Sequence, residues 1–98
     1  MAYFLALTIH LHLPDNGSLK GKRRELLSVR AALVRRFGAS VAEVDHQDLW
    51  QRTAIAVSCV GGEAYHLKRV MHEVEKHVDR WHEVEIIDVN LSLHGPDD

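Results

Sequence analysis

Apolar residues occupy every odd position from Tyr3 to Leu13 (Tyr3, Leu5, Leu7, Ile9, Leu11, Leu13), while Thr8, His10 and His12 take the alternate side. A period of two predicts a strand with one buried face. Pro14-Asp15-Asn16-Gly17 is a strong turn signal, and Ser18 is suited to cap a helix. From Leu19 to Phe37 the period changes: Leu26, Val29, Leu33 and Phe37 recur at helical spacing, flanked by Leu27 and Val34. Gly38 is placed to end that helix in a left-handed cap. Ala39–Asp45 and Thr53–Val60 predict a second and a third strand, the latter burying Ile55, Val57 and Cys59. Gly61-Gly62 breaks the chain before a second helix over Glu63–Arg80, striped by Leu67, Val70, Met71, Val74, Val78 and Trp81. A fourth strand, Val84–Leu93, is expected to bury Ile87, Val89, Leu91 and Leu93 and to expose Asp88, Asn90 and Ser92, ahead of a polar tail from His94 to Asp98.

The resulting order is βαββαβ, with two amphipathic helices and four strands each apolar on one face. The economical packing is an α+β, ferredoxin-like sandwich: a four-stranded antiparallel sheet of order 4-1-3-2 with both helices on one face. Both βα units then close with the favoured right-handed crossover. The length suits one domain spanning residues 1–98. Such a fold hosts many unrelated functions, so function must be argued from the site.

Composition adds a compartment and an asymmetry. Cys59, the single cysteine, has no partner for a disulfide and sits in an apolar run, as a core residue does in a reducing compartment. The N-terminal run alternates like a strand and has no basic start or small-residue cleavage site. No apolar run approaches the roughly 20 residues of a membrane span. A cytoplasmic protein without membrane contact is expected. The net charge of −2 hides a segment, residues 18–37, where Lys20, Lys22, Arg23, Arg24, Arg30, Arg35 and Arg36 face one acid, Glu25.

The densest chemistry lies in Val41–Arg52, VAEVDHQDLWQR, which reverses the chain between two strands without Gly or Pro. Side chains must therefore fix the turn, with Asp45 and Asp48 able to accept from backbone N–H groups. Together with Ser18-Leu19-Lys20-Gly21-Lys22-Arg23-Arg24, this stretch resembles the VAEV…QDLWQR and SLKxKR signatures of the YlxP-like family of small bacterial proteins. Glu85-Ile86-Ile87-Asp88 is a weaker third match. The resemblance covers nearly the whole chain and implies a ferredoxin-like fold. It also implies work on or near the small ribosomal subunit, because the family's genes often lie beside those for translation initiation and ribosome maturation factors. Relatives often carry an acid where this chain has Gly21.

Several sites follow as expectations. Lys20, Lys22, Arg23, Arg24 and Arg52 are candidate nucleic-acid contacts: cations crowded at a helix start oppose its macrodipole and are relieved by bound phosphate. The competing explanation is internal pairing of Arg23 or Arg52 with Glu43, Asp45 or Asp48, with Arg23 the first candidate for a structural role. Trp50 and Gln51 are candidate partner contacts, although Trp50 would serve equally well folded beneath the hairpin. The sheet's open face offers Thr8, His10, His12, Ala54, Ala56 and Ser58, which form no aromatic base-stacking platform. His10 and His12 share a face, and with Asp88 on the neighbouring strand they suggest a metal site only if that third ligand is in register; His66, His72, His77 and His82 fall on the wet side of the second helix and its exit. Acylphosphatases share the architecture, but the first loop lacks their glycine-rich, Arg-bearing phosphate cradle. With no paired catalytic groups, the expectation is a non-catalytic, ribosome-associated protein that binds ribosomal RNA or a small-subunit maturation intermediate, with no cofactor, metal or catalytic residue. A homodimer using the second strand's edge or the open face is the alternative, and a small metal or phosphoryl-transfer enzyme a third.

Overall fold

The computed structural model describes residues 1–96; Asp97 and Asp98 of the polar tail lie outside the described residues. Its elements are β1 (Tyr3–His12), α1 (Leu19–Phe37), β2 (Ser40–Asp45), β3 (Arg52–Gly61), α2 (Ala64–Asp79) and β4 (Glu85–His94). The strands form one antiparallel sheet of order β2-β3-β1-β4, the ferredoxin-like arrangement. Among the described residues no helix is long and apolar enough to cross a membrane.

The alternation of β1 sets the core. Leu5, Leu7, Ile9, Leu11 and Leu13 are buried, as are Ile55, Val57 and Cys59 of β3 beside them. Val29 and Leu33 of α1 and Leu67, Met71, Val74 and Val78 of α2 close over this face. Ser18 Oγ accepts the Gly21 N–H at 3.0 Å, as an N-cap does. Gly38 ends α1 with φ 64° and donates to the Val34 carbonyl. Burial pushes the Cys59 thiol up from its ordinary value, so thiolate is scarce at neutral pH. Native protein is therefore expected to resist aromatic disulfide reagents and to react at once in denaturant. Fast labelling of the native chain would contradict this placement.

Two bulges alter the expected alternation. Between His10–Asp88 and Leu11–Ile86 the β1/β4 register slips by one residue. Ile86 therefore packs against the core, whereas Ile87, expected inside, is half exposed. A similar slip leaves Val44 unpaired opposite β3 and exposed. The rest of β4 faces as expected but is poorly covered: Leu91 and Leu93 lie on the helix side and remain substantially exposed. His77 also departs from expectation. It is half-buried, edge-on to Phe37 and tilted against Trp81, while His66, His72 and His82 are exposed.

Candidate functional site

The reversal between β2 and β3 is fixed from outside itself. Lys22, on the first turns of α1, is fully buried. Its Nζ lies 2.9 Å from Glu43 Oε2 and donates to the carbonyls of His46 at 2.9 Å and Gln47 at 3.0 Å, with the Arg52 carbonyl at 3.4 Å. Glu43 Oε2 also accepts from Thr53 Oγ1 at 2.6 Å. An ammonium has three donors, and here a carboxylate and main-chain oxygens satisfy all of them. Buried charge is tolerated only with this degree of pairing.

Local bonds complete the mount. His46 adopts φ 59°, a left-handed conformation uncommon outside glycine. Its N–H is held by Asp45 Oδ1 at 2.8 Å, and its carbonyl accepts from Leu49 N–H at 3.1 Å as well as from Lys22. Gln51 Nε2 reaches across to the carbonyls of Pro14 and Asn16, at 3.2 and 3.1 Å. Asn16 Nδ2 returns the tie by donating to the carbonyls of Trp50 and Ser18. The β1–α1 turn and the β2–β3 turn are thereby locked into one ridge. What that ridge presents is apolar: Leu49 is 48% and Trp50 55% exposed.

This geometry sorts the candidate residues. Lys22 is not a surface cation, because its charge is consumed inside the protein. Gln51 is exposed, but its amide N–H groups are bound to the neighbouring turn. Trp50 is displayed rather than folded under the hairpin. Arg23, the first candidate for a structural role, is exposed, as are Lys20, Arg24 and Arg52. Among the described residues the ion pairs are His12–Glu85, Lys22–Glu43, His46–Asp45 and Lys76–Glu73, so no arginine is in one. Three nearby acids are engaged elsewhere: Glu25 accepts from Trp81 Nε1 at 3.2 Å, Glu43 holds Lys22, and Asp45 accepts from the His46 N–H.

The exposed cations divide between two sides of α1. Arg23 and Arg30 rim an apolar groove, about 320 Å³ in volume, floored by Leu26, Leu27, Val41 and Ile55. Arg24 shares a smaller cleft with Asp15, Glu25 and Glu83. Arg52 borders the shallow depression beside Leu49 and Trp50. On the open face, His10 lies edge-on to His46 and His12 contacts Glu85 at 3.3 Å. Among the described residues no group of three or more His, Cys, Asp or Glu is placed to hold a metal ion. Phe4, on the same face, stacks on His94 with ring centroids 4.4 Å apart. The β1 alternation contained this aromatic, since Phe4 is an even position.

Gly21 is explained by the same mount. A Cβ there would collide with Asn16 Oδ1 and sit 3.2 Å from Ser18 Oγ. Asn16 cannot retreat without releasing Trp50 and Ser18. Helix propensity alone makes Gly21→Ala worth about 1 kcal/mol of added stability. The expected result is no gain in thermal midpoint and a changed Trp50 emission. A stabilised variant with unchanged fluorescence would refute this role.

The two motif stretches thus build one object, and both lie within the span that a known family matches. The family model described as "Protein of unknown function (DUF503)" matches residues 4–91. The chain belongs to this family. A curated relative, "Uncharacterized protein YlxP" of Bacillus subtilis (strain 168), is 31% identical over 71 residues, covering 72% of this chain and 77% of the relative. The resemblance to the YlxP-like family read from the motifs therefore holds. The DUF503 description assigns no activity, so the functional reading rests on the site's chemistry.

Proposed function

We infer that this DUF503 protein is a non-catalytic, cytoplasmic binding protein that docks on ribosomal RNA or a small-subunit maturation intermediate. The observation that carries the reading is the Leu49–Trp50 ridge, tied to the β1–α1 turn beside the start of α1, with Lys20, Arg23, Arg24 and Arg52 in no ion pair among the described residues. Exposed cations bind phosphate independently of sequence. An indole offers a flat surface for an unstacked base or a protein side chain. The resemblance suggests the ribosomal context, and exposed cations beside an exposed indole support a contact of this kind.

The test is co-sedimentation with small ribosomal subunits and their precursors. Wild type is expected to co-sediment at low salt, and the combined reversal Lys20→Glu, Arg23→Glu, Arg24→Glu is expected to stay in the supernatant while keeping native circular dichroism. Undiminished co-sedimentation of the reversed variant would eliminate the basic helix as the contact. A second reading rests on the groove between α1 and β2, whose apolar floor and arginine rim suit an acidic protein segment. In that case Leu27→Glu abolishes the interaction and Trp50→Ala leaves it intact.

A further inference from the structure

The sheet has two outer edges, and only one is guarded. An unpaired strand edge is a template for another strand unless something spoils it. β2 is six residues long, is broken by the Val44 bulge, and has its Val41 carbonyl bonded by Arg30 Nε at 3.3 Å. β4 runs for ten residues, pairs with β1 without interruption from Asp88 to His94, and carries no Lys, Arg or Pro. Its helix-facing side is also unfinished. Leu91 and Leu93 lie opposite the buried Leu7 and Leu5 of β1, yet are 52% and 37% exposed. Beside them a groove of about 390 Å³ separates β4 from α2, lined by Leu7, Met71, Val89 and Leu91, with Lys68 and Glu75 at its sides.

We propose that β4 pairs with β4 of a second copy of this chain, antiparallel about a two-fold axis at Leu91, so that two sheets become one of eight strands. Self-pairing about that residue sets Leu91 against Leu91, Val89 against Leu93, and Asn90 against Ser92. Apolar then meets apolar on the helix side, and polar meets polar on the open side, which is what cross-strand pairs require. Asp88 is the only formally charged side chain from 88 to 93, and in this register it faces His94 of the second copy rather than another acid. The axis passes the groove between Lys68 and Glu75, one turn to either side of Met71 and His72. Two-fold symmetry therefore turns Lys68 of each copy toward Glu75 of the other, and every contact occurs twice. The proposal is independent of the RNA reading, because its surface lies at the opposite edge of the sheet from β2 and needs no nucleic acid.

Sedimentation equilibrium of the full chain, free of nucleic acid, at micromolar to submillimolar concentration tests it. The expected mass is that of two chains. Leu91→Lys sets two ammonium groups against each other on the axis and is expected to reduce the mass to one chain; Leu91 is half exposed, so the variant keeps its native spectrum. The register has a separate readout that does not depend on that variant folding. Under oxidised glutathione, Leu91→Cys is expected to form disulfide-linked dimers, because residue 91 faces itself. Leu93→Cys is expected not to, because residue 93 faces 89. A monomeric wild type, a dimer that survives Leu91→Lys with its native spectrum, or cross-linking that favours Leu93→Cys would each overturn the proposal.

Discussion

Lys22→Ala should cost about 3–5 kcal/mol of stability, the range for removing one partner of a buried ion pair. The loss has two parts. Glu43, three-quarters buried in its side chain, keeps a charge with Thr53 as its remaining side-chain donor. The carbonyls of His46 and Gln47 lose their ammonium donor as well. For a chain of this size that corresponds to a thermal midpoint lower by roughly 12 °C or more. Lys20→Ala, two residues earlier on the same helix and exposed, is expected to stay within about 0.5 kcal/mol of wild type. The comparison is made by urea and thermal melts of both variants. Equal stabilities would show that Lys22 is an ordinary surface lysine. Replacing the pair together, as Lys22→Met with Glu43→Leu, should recover part of the loss, because a packed apolar pair avoids the desolvation that an ion pair carries. The turn carbonyls would still lack their donor, so Trp50 fluorescence and amide exchange in residues 46–51 should remain altered even where stability returns.

That lysine also shows how far the sequence could be read. The stripe Leu26, Val29, Leu33, Phe37 continues one step backward to position 22, so a cation there lies on the buried side of its helix. Counting the charges of residues 18–37 together concealed this, because net charge takes no account of phase. Glu43 carried the matching signal. It stands two residues after Val41, on the inward side of β2, and its inward neighbours on β3 include Thr53 and Ile55. Opposite charges on facing inward positions of α1 and β2 would have identified the pair. The strand and helix order was legible because period-two and helical stripes are each forced by burial on one face. The bulges were not, because Ile86 and Ile87 are chemically equivalent and only pairing with Leu11 decides which turns inward. The structural ties of Gln51 are illegible for a different reason. Its partners are main-chain carbonyls of Pro14 and Asn16, more than thirty residues away, and no residue type marks an acceptor that every residue possesses. Trp50 was undecidable for the converse reason, since an indole suits a core edge and an exposed contact equally.

If the proposed contact with single-stranded ribosomal RNA is made, salt should weaken it in proportion to the cations that engage it. If Lys20, Arg23, Arg24 and Arg52 each neutralise one phosphate, the slope of log affinity against log salt is about −3, and affinity falls roughly 50-fold between 50 and 200 mM salt. Lys20→Ala with Arg24→Ala removes two of the four and should halve the slope. Lys22→Ala should leave the slope unchanged in whatever fraction remains folded, because that ammonium never faces solvent. Trp50 acts through a different term. If its indole stacks on a base, Trp50→Ala costs about 1–3 kcal/mol at every salt concentration, displacing the line without tilting it. Fluorescence titrations of the four proteins across a salt series separate the effects. A tilt from the cation variant and a parallel shift from the tryptophan variant identify one composite site spanning the start of α1 and the β2–β3 ridge. A flat salt dependence in wild type would remove nucleic acid from consideration and leave the apolar groove beside Arg23 and Arg30 as the binding surface. A steep slope untouched by the double variant would move the phosphate contact to the far end of α1, where Arg35 and Arg36 are exposed.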